Sequence, residues 1–264
     1  MNQYSLTLDK KIDMVRMSIR AVTRGYKQSR LITGSPGIGK SYAVLEEIKD
    51  EINFLKEEEG KFLTYELITG GIKDAASFYT MLNDNNKYDH VILLDDVNTV
   101  LTDKDCREML RASTTNQEIR RVTYGSNKIV KGKTFYKPKM DFVGKIIIIT
   151  NIPKQKIQKI DSGILSRTSP IEIIAKPIET FKWVGMNLEE APPYDLDIKW
   201  KQKVYDFIKQ EIVDKKQLKL FDFRVFEDCC LWIASCLEKK IIKDETKLVL
   251  KSDDWQSFVF SLCT

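Results

Sequence analysis

The fold is decided by one stretch, Gly34-Ser35-Pro36-Gly37-Ile38-Gly39-Lys40-Ser41. It fits the pattern G-x-x-x-x-G-K-[ST] at every fixed position, and this pattern forms a glycine-rich loop that cradles phosphate groups. Glycine lets several backbone N–H groups curl around one anion, and the N-terminus of a following helix adds positive potential. The Lys40 ammonium would neutralise phosphate oxygens, and the Ser41 hydroxyl would take a position on Mg²⁺. The stretch therefore predicts a binding site for ATP with Mg²⁺.

The residues on either side of this loop have the pattern of a strand and then a helix. Leu31 and Ile32 precede the loop, as the apolar end of a buried strand would. After the loop, Val44 and Ile48 recur at helical spacing. We therefore expect the loop to join a buried strand to a helix, and we include the next residue, Tyr42, in the nucleotide-binding set.

The composition is that of an ordinary globular chain. The 264 residues are 31% charged and 42% apolar, with a formal net charge of +5, which suits one large domain or a core with a small second domain. No apolar run approaches the roughly 20 residues of a membrane-spanning helix. Residues Met1–Ser5 lack the basic-then-apolar layout of a secretion signal. We therefore expect an intracellular protein without a membrane partner.

Cysteine and histidine usage narrows the possible chemistry. The five cysteines form no C-x-x-C pair, and Cys229, Cys230 and Cys236 lie in an apolar helical stretch, which favours buried thiols. The single histidine, His90, precedes an apolar strand, where we expect a structural role. This usage argues against a zinc site and against a catalytic pair built with a second histidine. Carboxylates, lysines, arginines and a nucleotide-bound metal are then left to carry the chemistry.

A second buried strand ends in two acids. Residues 91–94 are continuously apolar, as in a parallel strand buried on both faces, and Asp95 and Asp96 follow. Open α/β sheets place ligand chemistry at the carboxyl ends of their strands. We expect Asp95 to hold Mg²⁺ opposite Ser41, and Asp96 to polarise the attacking water. Asp96 is one methylene shorter than the glutamate that many ATPases carry there, and a helix-capping acid would show the same local pattern.

A third buried strand, residues 145–149, ends in Thr150 and Asn151. We expect the Asn151 amide to hydrogen-bond the γ-phosphate or the attacking water. The alternative is a simple strand-end turn that leads into Pro153.

A basic segment precedes this third strand. Residues 120–139 contain seven basic residues and no acid, with three aromatic residues interleaved. β-Branched runs next to glycines predict one or two hairpins, so we assign residues 120–140 to a hairpin insertion. Concentrated positive charge with aromatic rings suits DNA phosphates and bases, although a solvated edge hairpin is the alternative. The predicted DNA contacts are Arg120, Arg121, Lys128, Lys131, Lys133 and Lys137.

The pattern changes after Pro177 to helices only. We assign residues 1–176 to an α/β nucleotide-binding domain and residues 177–264 to a small all-α domain. Arg224 is the basic residue of this second domain best placed to reach the nucleotide, and a surface salt bridge is the alternative.

Together these motifs resemble the AAA+ class of P-loop ATPases over nearly the whole chain. The resemblance implies an α/β fold in which helices sandwich a parallel five-stranded sheet, followed by a C-terminal all-α lid. It also implies the roles of three residues: sensor 1 for Asn151, an arginine finger donated to a neighbouring subunit for Arg167, and a sensor 2 arginine for Arg224. Hydrolysis is then expected to depend on a homo-oligomeric ring, commonly a hexamer in this class.

The paired acids, the basic hairpin and the Thr-Asn strand end are also similar to superfamily 3 helicases of viruses, which place that hairpin in a central pore around DNA. The resemblance implies a phage- or plasmid-encoded replication ATPase in the host cytoplasm, with single-stranded DNA and replication proteins as partners. A helicase or translocase and an ATP-switched helicase loader without unwinding activity both fit. A small-molecule kinase also uses such a loop, but the Asp95-Asp96 pair and Arg167 argue against it.

Overall fold

The structure, a computed structural model, describes residues 7–124, 129–130, 133–134, 139–242, 245–250 and 252–264. It divides into two compact units. The sheet unit comprises Lys10–Ser35 and Lys40–Ile174. The C-terminal unit comprises Ala175–Thr264, the loop tip Pro36–Gly39 and the described residues before Lys10. The division at residue 174 lies close to the domain boundary expected at residue 176, whereas the grouping of the loop tip was not expected.

Strands and helices alternate along the chain from residue 29 to residue 95. The described strands are β1 (Ser29–Gly34), β2 (Thr64–Thr69), β3 (His90–Asp95), β4 (Arg120–Thr123), β5 (Ile129–Val130), β6 (Lys133–Thr134), β7 (Lys139–Phe142), β8 (Lys145–Thr150), β9 (Ile171–Ile173), β10 (Leu237–Ile242) and β11 (Glu245–Leu250). The described α-helices are α1 (Leu8–Thr23), α2 (Lys40–Glu59), α3 (Ala75–Asp84), α4 (Thr99–Thr102), α5 (Lys104–Ser113), α6 (Lys154–Ile160), α7 (Ser162–Thr168), α8 (Pro177–Met186), α9 (Ile198–Ile208), α10 (Phe223–Ser235) and α11 (Trp255–Cys263). A π-helical segment, Lys209–Val213, continues α9.

A five-stranded parallel sheet in the order β2-β3-β8-β1-β9 forms the centre of the sheet unit. Strand β8 therefore lies between β1, which leads into the glycine-rich loop, and β3, which ends at the paired acids. The register pairs Thr33 with Thr150 and Asp95 with Ile149. The carboxyl ends of all three motif-bearing strands consequently meet at one edge of the sheet.

Both faces of this sheet are buried. Consecutive strand residues point to opposite faces, yet every residue from Val91 to Leu94 and from Ile146 to Ile149 is at most 1% exposed. On one face, Ile92 and Leu94 pack with apolar residues of α3 and α5, including Phe78. Burying each such side chain contributes roughly 1.5–3 kcal/mol, so the continuous apolar runs become central strands.

Two ion pairs tie α1 to α2, the helix that begins at Lys40. Arg20 pairs with Glu47, and Arg24 makes a bidentate contact with Glu51 at 2.7 and 2.8 Å. Arg20 lies in α1 and Arg24 directly follows the last residue of that helix. The two arginines are four residues apart, as are Glu47 and Glu51 on α2, so the two ion pairs lie side by side. The two carboxylates are buried and each requires its partner. This arrangement fixes the helix that follows the loop.

The C-terminal unit is mostly helical. It also contains a pair of strands, which the expectation of an all-α domain did not include. Phe181, Phe226 and Trp255 belong to a core shared by α8 to α11, and β10 and β11 form an antiparallel pair between α10 and α11. Leu237 pairs with Leu250 across this ladder. Local helix propensity cannot predict such a pairing between separate segments. Among the residues described, none of the helices combines the length and apolar character needed to cross a bilayer.

Candidate functional site

The glycines of the loop have backbone conformations that disfavour side chains. Gly34, Gly37 and Gly39 have φ angles of +148°, +70° and +76°. A Cβ at Gly34 would overlap the carbonyl oxygen of Ile173 in β9, and the same oxygen accepts a hydrogen bond from the Ser35 N–H at 3.2 Å. The first motif glycine is therefore needed because the loop begins directly against the neighbouring strand.

Within the C-terminal unit, the loop tip packs against the start of α10. The Phe223 N–H donates to the Gly37 carbonyl at 2.8 Å. A Cβ at Gly37 would overlap the Asp222 carboxylate, and one at Gly39 would press on the Phe223 ring. Asp222 also caps α10 by accepting from the Val225 N–H at 2.9 Å. These contacts give a second reason for glycine at both positions.

Lys40 is 6% exposed, and its ammonium lies against the inner side of the loop. It donates to the Gly34 and Ser35 carbonyl oxygens at 3.1 and 2.6 Å, and to Asn151 Oδ1 at 2.8 Å. A buried ammonium requires such oxygen partners. Lys40 thus joins the loop to the end of β8, as expected if both contact one ligand.

Asn151 links Lys40 to Asp96. Its Nδ2 donates to the two Asp96 carboxylate oxygens at 2.8 and 3.1 Å, and its backbone N–H donates to Oδ1 at 3.2 Å. Asp96 is exposed and has a φ of +53°. This left-handed conformation costs a non-glycine residue about 1 kcal/mol and occurs preferentially at functional sites. Lys40, Asn151 and Asp96 thus form one continuous hydrogen-bonded chain.

The residues expected at Mg²⁺ are Ser41, in the first turn of α2, and Asp95, at the end of β3. Both are partly buried. Since β8 separates β1 from β3 and neighbouring strands lie about 4.8 Å apart, the ends of β1 and β3 are roughly 10 Å apart. Hydroxyl and carboxylate oxygens are ligands that Mg²⁺ prefers, and Mg²⁺ usually keeps waters and substrate phosphates as its remaining ligands. The donor set therefore fits Mg²⁺.

The end of β8 is held by a residue that sequence reasoning missed. The buried Thr150 hydroxyl donates to Asn98 Oδ1 at 2.8 Å and accepts from the Ile152 N–H at 3.1 Å. Asn98 follows the paired acids by two residues, and its backbone N–H donates to the Asp96 carbonyl at 3.0 Å. The β3 and β8 ends are thereby joined by side chains as well as by the strand ladder.

The two arginines implied by the resemblance are both exposed. Arg167 lies near the end of α7, where its Nη1 donates to the Gly163 carbonyl at 2.8 Å. Arg224 is the second residue of α10, next to Phe223. Neither guanidinium is enclosed in the core of its own unit.

The basic segment contains two antiparallel strand pairs, β4 with β7 and β5 with β6, as the hairpin prediction requires. Arg121 in β4 is exposed and pairs with Asp141 at 3.1 Å. Lys133 lies in β6. Three of the predicted DNA contacts, Lys128, Lys131 and Lys137, lie outside the described residues.

Arg120 has a structural role, which corrects the prediction that it contacts DNA. It is 1% exposed and donates to the Ser113 and Gly144 carbonyl oxygens. Its guanidinium also lies 4.9 Å from the centre of the Phe142 ring, and burial lowers its pKa to about 10. Alternation along β4 turns Arg120 and Val122 inward and Arg121 outward, so only Arg121 presents its charge to solvent.

Burial of the cysteines is as expected except at Cys236, and His90 is buried, as expected of a structural residue. Cys106, Cys229, Cys230 and Cys263 are buried free thiols, whereas Cys236 is partly exposed; burial raises the pKa of Cys106 to about 12. His90 is buried, with Nδ1 2.7 Å from the Thr64 hydroxyl and Nε2 3.1 Å from Asn85 Oδ1. His90 begins β3, at the opposite end of the strand from Asp95.

A protein of Enterobacteria phage T4 resembles part of this chain. It is the uncharacterized 36.7 kDa protein of the nrdC–mobD intergenic region, 26% identical over 145 residues, which are 55% of this chain and 42% of the phage protein. The match thus spans less than half the length of that relative. No protein-family model matches the chain.

Two solved structures resemble most of this chain in fold, at low sequence identity. The Aeropyrum pernix Orc1 protein in complex with DNA aligns over 99% of this chain and 67% of its own, at 11% identity and a TM-score of 0.53. A mutant of RuvB from Thermotoga maritima aligns over 87% of this chain and 62% of its own, at 11% identity and a TM-score of 0.49. At such identities the likeness to Orc1 shows the fold alone. The chain has the α/β fold of the AAA+ ATPases, a parallel five-stranded sheet with helices followed by a helical C-terminal region.

Proposed function

We propose that this protein is an ATP-hydrolysing motor that acts on DNA, a phage replication helicase or translocase that works as an oligomeric ring. The observation that carries the proposal is the hydrogen-bonded chain from Lys40 through Asn151 to Asp96. It lies where the glycine-rich loop and two strand ends meet. The phage relative supports a phage source, and the Orc1 complex with DNA supports DNA as the partner.

Each member of the chain has a role in phosphoryl transfer. Hydrolysis requires a water held in line with the breaking bond and neutralisation of charge on the transferred group. We expect Lys40 to exchange the two loop carbonyls for phosphate oxygens, because an ammonium–phosphate hydrogen bond is charge-assisted and therefore stronger. Asp96 would orient the attacking water and accept its proton. Asn151 would hold the Lys40 ammonium and the Asp96 carboxylate in fixed positions relative to each other.

The remaining site residues complete the proposal. Mg²⁺, held by Ser41 and Asp95, would supply further charge neutralisation at the phosphates. The exposed Arg167 would serve a neighbouring subunit, where an arginine finger accelerates P-loop enzymes by about 10³–10⁵. Arg224 would contact the nucleotide held by its own subunit.

The proposed DNA contact is the basic segment without Arg120. Arg121 and the lysines of residues 128–137 would neutralise phosphates, so DNA affinity should fall steeply as salt rises. Arg120 is excluded from this surface because its guanidinium is committed to two carbonyl oxygens.

The test is the ATPase rate of the purified protein with and without single-stranded DNA, with particle mass measured in the same samples. We expect DNA-stimulated turnover in particles several times the 30.6 kDa mass of one chain. Turnover by a monomer, unaffected by DNA, would contradict the proposal.

A strand-displacement assay distinguishes the motor from the second candidate, an ATP-switched helicase loader. A motor separates a forked duplex by itself. A loader hydrolyses ATP without separating strands unless a helicase is added.

A further inference from the structure

A pair of aromatic rings lies on the outer faces of α10 and α11, in the C-terminal unit. Trp232 and Phe258 are 42% and 37% exposed, and their ring centroids lie 3.8 Å apart with 31° between the planes. Leu231, which is 50% exposed, precedes Trp232 on α10. Other apolar residues of the same helix, such as Phe226 and Ile233, are buried in the core of the unit. The rings therefore form a contiguous apolar patch on the outside of a packed helix pair, and such patches often mark binding surfaces.

The two helices present the same pattern of exposed residues around these rings. Each has an acid, an aromatic residue four positions later and a serine three positions after that, all on one helix face: Asp228, Trp232 and Ser235 for α10, and Asp254, Phe258 and Ser261 for α11. Each serine hydroxyl donates to the carbonyl of the preceding aromatic residue, at 2.7 Å in both helices. The serines are thus satisfied within their own helices, which leaves the rings and the carboxylates to meet a partner.

The two acids lie toward opposite ends of the ring pair. Helix α10 leads into β10 and α11 follows β11, and Leu237 pairs with Leu250 where β10 begins and β11 ends. The C-terminal end of α10 is therefore close to the N-terminal end of α11, and the two helices run in opposite directions. In agreement, Cys229 of α10 contacts Cys263, the last residue of α11. Each acid precedes its ring by about one helical turn, or roughly 6 Å, so the acids are about 12 Å apart along the helix pair.

This part of the chain is acidic, although the protein as a whole is basic. Residues 222–235 and 252–264 contain five acidic residues and one basic residue. Residues 222–264, with the strand pair included, contain eight acidic and six basic residues in a chain of net charge +5. The Asp254 side chain does not cap α11, and among the described residues neither Asp254 nor Asp228 forms an ion pair. Both carboxylates can therefore meet a positively charged partner.

The charge of this face decides which partner fits it. The acids repel DNA phosphates and anionic membrane surfaces, and a second copy of the same face would bring like charges together. A protein segment with apolar side chains between basic ones matches both the rings and the acids. Its apolar residues would cover the rings, while long lysine or arginine side chains would reach the carboxylates.

We propose that the face formed by Asp228, Leu231, Trp232, Asp254 and Phe258 docks a basic amphipathic helix of a partner protein. Since 12 Å corresponds to about eight residues of α-helix, the partner's basic residues are about two turns apart, with its apolar residues between them. Trp232 is the anchor of the interface, because exposed tryptophan side chains commonly dominate binding energy. The inference does not depend on the proposed ATPase function.

The test is titration of a fluorescently labelled peptide with the full-length chain, followed by anisotropy. The probe is a synthetic alanine-based helix in which a cluster of leucines lies between two lysines placed two turns apart. The control peptide has glutamates in place of the lysines. We expect the protein to bind the lysine peptide and not the glutamate peptide.

Variants of the face locate the binding. Trp232→Ser and Phe258→Ser should each weaken binding of the lysine peptide by at least about tenfold. Phe260→Ser is the matched control, because Phe260 is 38% exposed on the same helix but lies on another side of it, and it should keep the wild-type affinity. Asp228→Asn and Asp254→Asn should each weaken binding about threefold at low salt, and this difference should vanish at high salt. Melting temperatures of all variants should stay close to that of the wild type, because the replaced side chains are exposed.

Four results would overturn the inference. The first is a wild-type protein that does not bind the lysine peptide, and the second is equal loss of binding in Phe258→Ser and Phe260→Ser. Binding of the wild type to phosphatidylserine vesicles that Trp232→Ser abolishes would show that the face contacts a membrane. Self-association of the wild type that Trp232→Ser abolishes would show that a second copy covers the face. None of these measurements depends on ATP turnover, so each leaves the proposed function standing.

Discussion

Asn151 donates two hydrogen bonds to the Asp96 carboxylate, from Nδ2 to Oδ2 at 2.8 Å and to Oδ1 at 3.1 Å. Its Oδ1 accepts from Lys40 at 2.8 Å at the same time. One carboxamide thus connects the ammonium of the glycine-rich loop to the acid expected to orient water. Neither neighbour could be replaced without leaving part of this amide unpaired.

Asn151→Ala should therefore separate binding from turnover. Loss of one well-placed hydrogen-bonding side chain typically costs 10²–10³ in kcat, and we expect about a hundredfold loss for this variant. ATP affinity should change only a few-fold, because the loop is intact. Single-turnover hydrolysis and titration with a fluorescent ATP analogue measure the two quantities. Unchanged hydrolysis would exclude Asn151 from the chemistry.

Asp96→Gly should abolish turnover with only a small change in stability. Glycine adopts the φ of +53° found at residue 96 without strain, whereas the carboxylate needed for the attacking water is lost. Lys216→Gly is the matched control, because Lys216 is exposed, has a φ of +59° and lies outside the site. Lys216→Gly should match or exceed the wild-type melting temperature. Asp96→Gly should melt close to it, because relief of the positive φ offsets the lost hydrogen bonds from Asn151 at this exposed position, and only Asp96→Gly should be inactive. Full activity of Asp96→Gly would remove Asp96 from the mechanism.

Replacement by methionine should lower stability at Arg120 and weaken DNA binding at Arg121. Arg120→Met leaves two buried carbonyl oxygens without their donor, so we expect unfolding free energy to fall by about 3 kcal/mol. Arg121→Met removes an exposed ion pair worth at most about 1 kcal/mol. Urea denaturation measures the first effect. Binding of single-stranded DNA across a salt series measures the second, with a shallower salt dependence expected for Arg121→Met. Equal effects of the two variants on stability would contradict their placement.

His90 should make stability depend on pH. Burial, with Lys87 nearby, lowers its pKa below the usual value near 6.5. The unfolded chain then binds a proton at His90 more readily than the folded chain. The unfolding free energy that His90 contributes is therefore complete above about pH 6.5 and is lost as pH falls through its lower folded-state pKa. Between pH 7.5 and 5, His90→Gln should therefore lose less unfolding free energy than the wild type. Identical losses in urea denaturation would contradict this assignment.

Much of the site could be predicted because parallel strands bring their carboxyl ends to one edge. The loop after β1, Asp95 at the end of β3 and Asn151 after β8 each follow a readable apolar run. Their order across the sheet could not be read from the chain, since it depends on pairing between distant segments. The structure alone shows that β8 lies between the other two and that Asn151 can contact both Lys40 and Asp96.

Other features depend on register or on tertiary contacts. A charge count treats Arg120 and Arg121 alike, but alternation along β4 buries one and exposes the other. The contacts of Asp161 with Arg107 and Arg111 join α5 to α7 across about fifty residues of sequence. The spacing of Arg107 and Arg111 on α5 was a readable signal of a shared face, although nothing in the sequence identified their acidic partner. The β10–β11 pair likewise depends on contacts that helical propensity does not describe.

The central claim is that a triphosphate binds between the glycine-rich loop and the paired acids. Phosphate release from ATP with Mg²⁺, compared between wild type and Lys40→Ala at equal particle mass, tests it most directly. We predict steady turnover in the wild type and a loss of at least about a hundredfold in the variant. Equal rates in the two proteins, or a wild type that assembles but does not hydrolyse ATP, would contradict the claim.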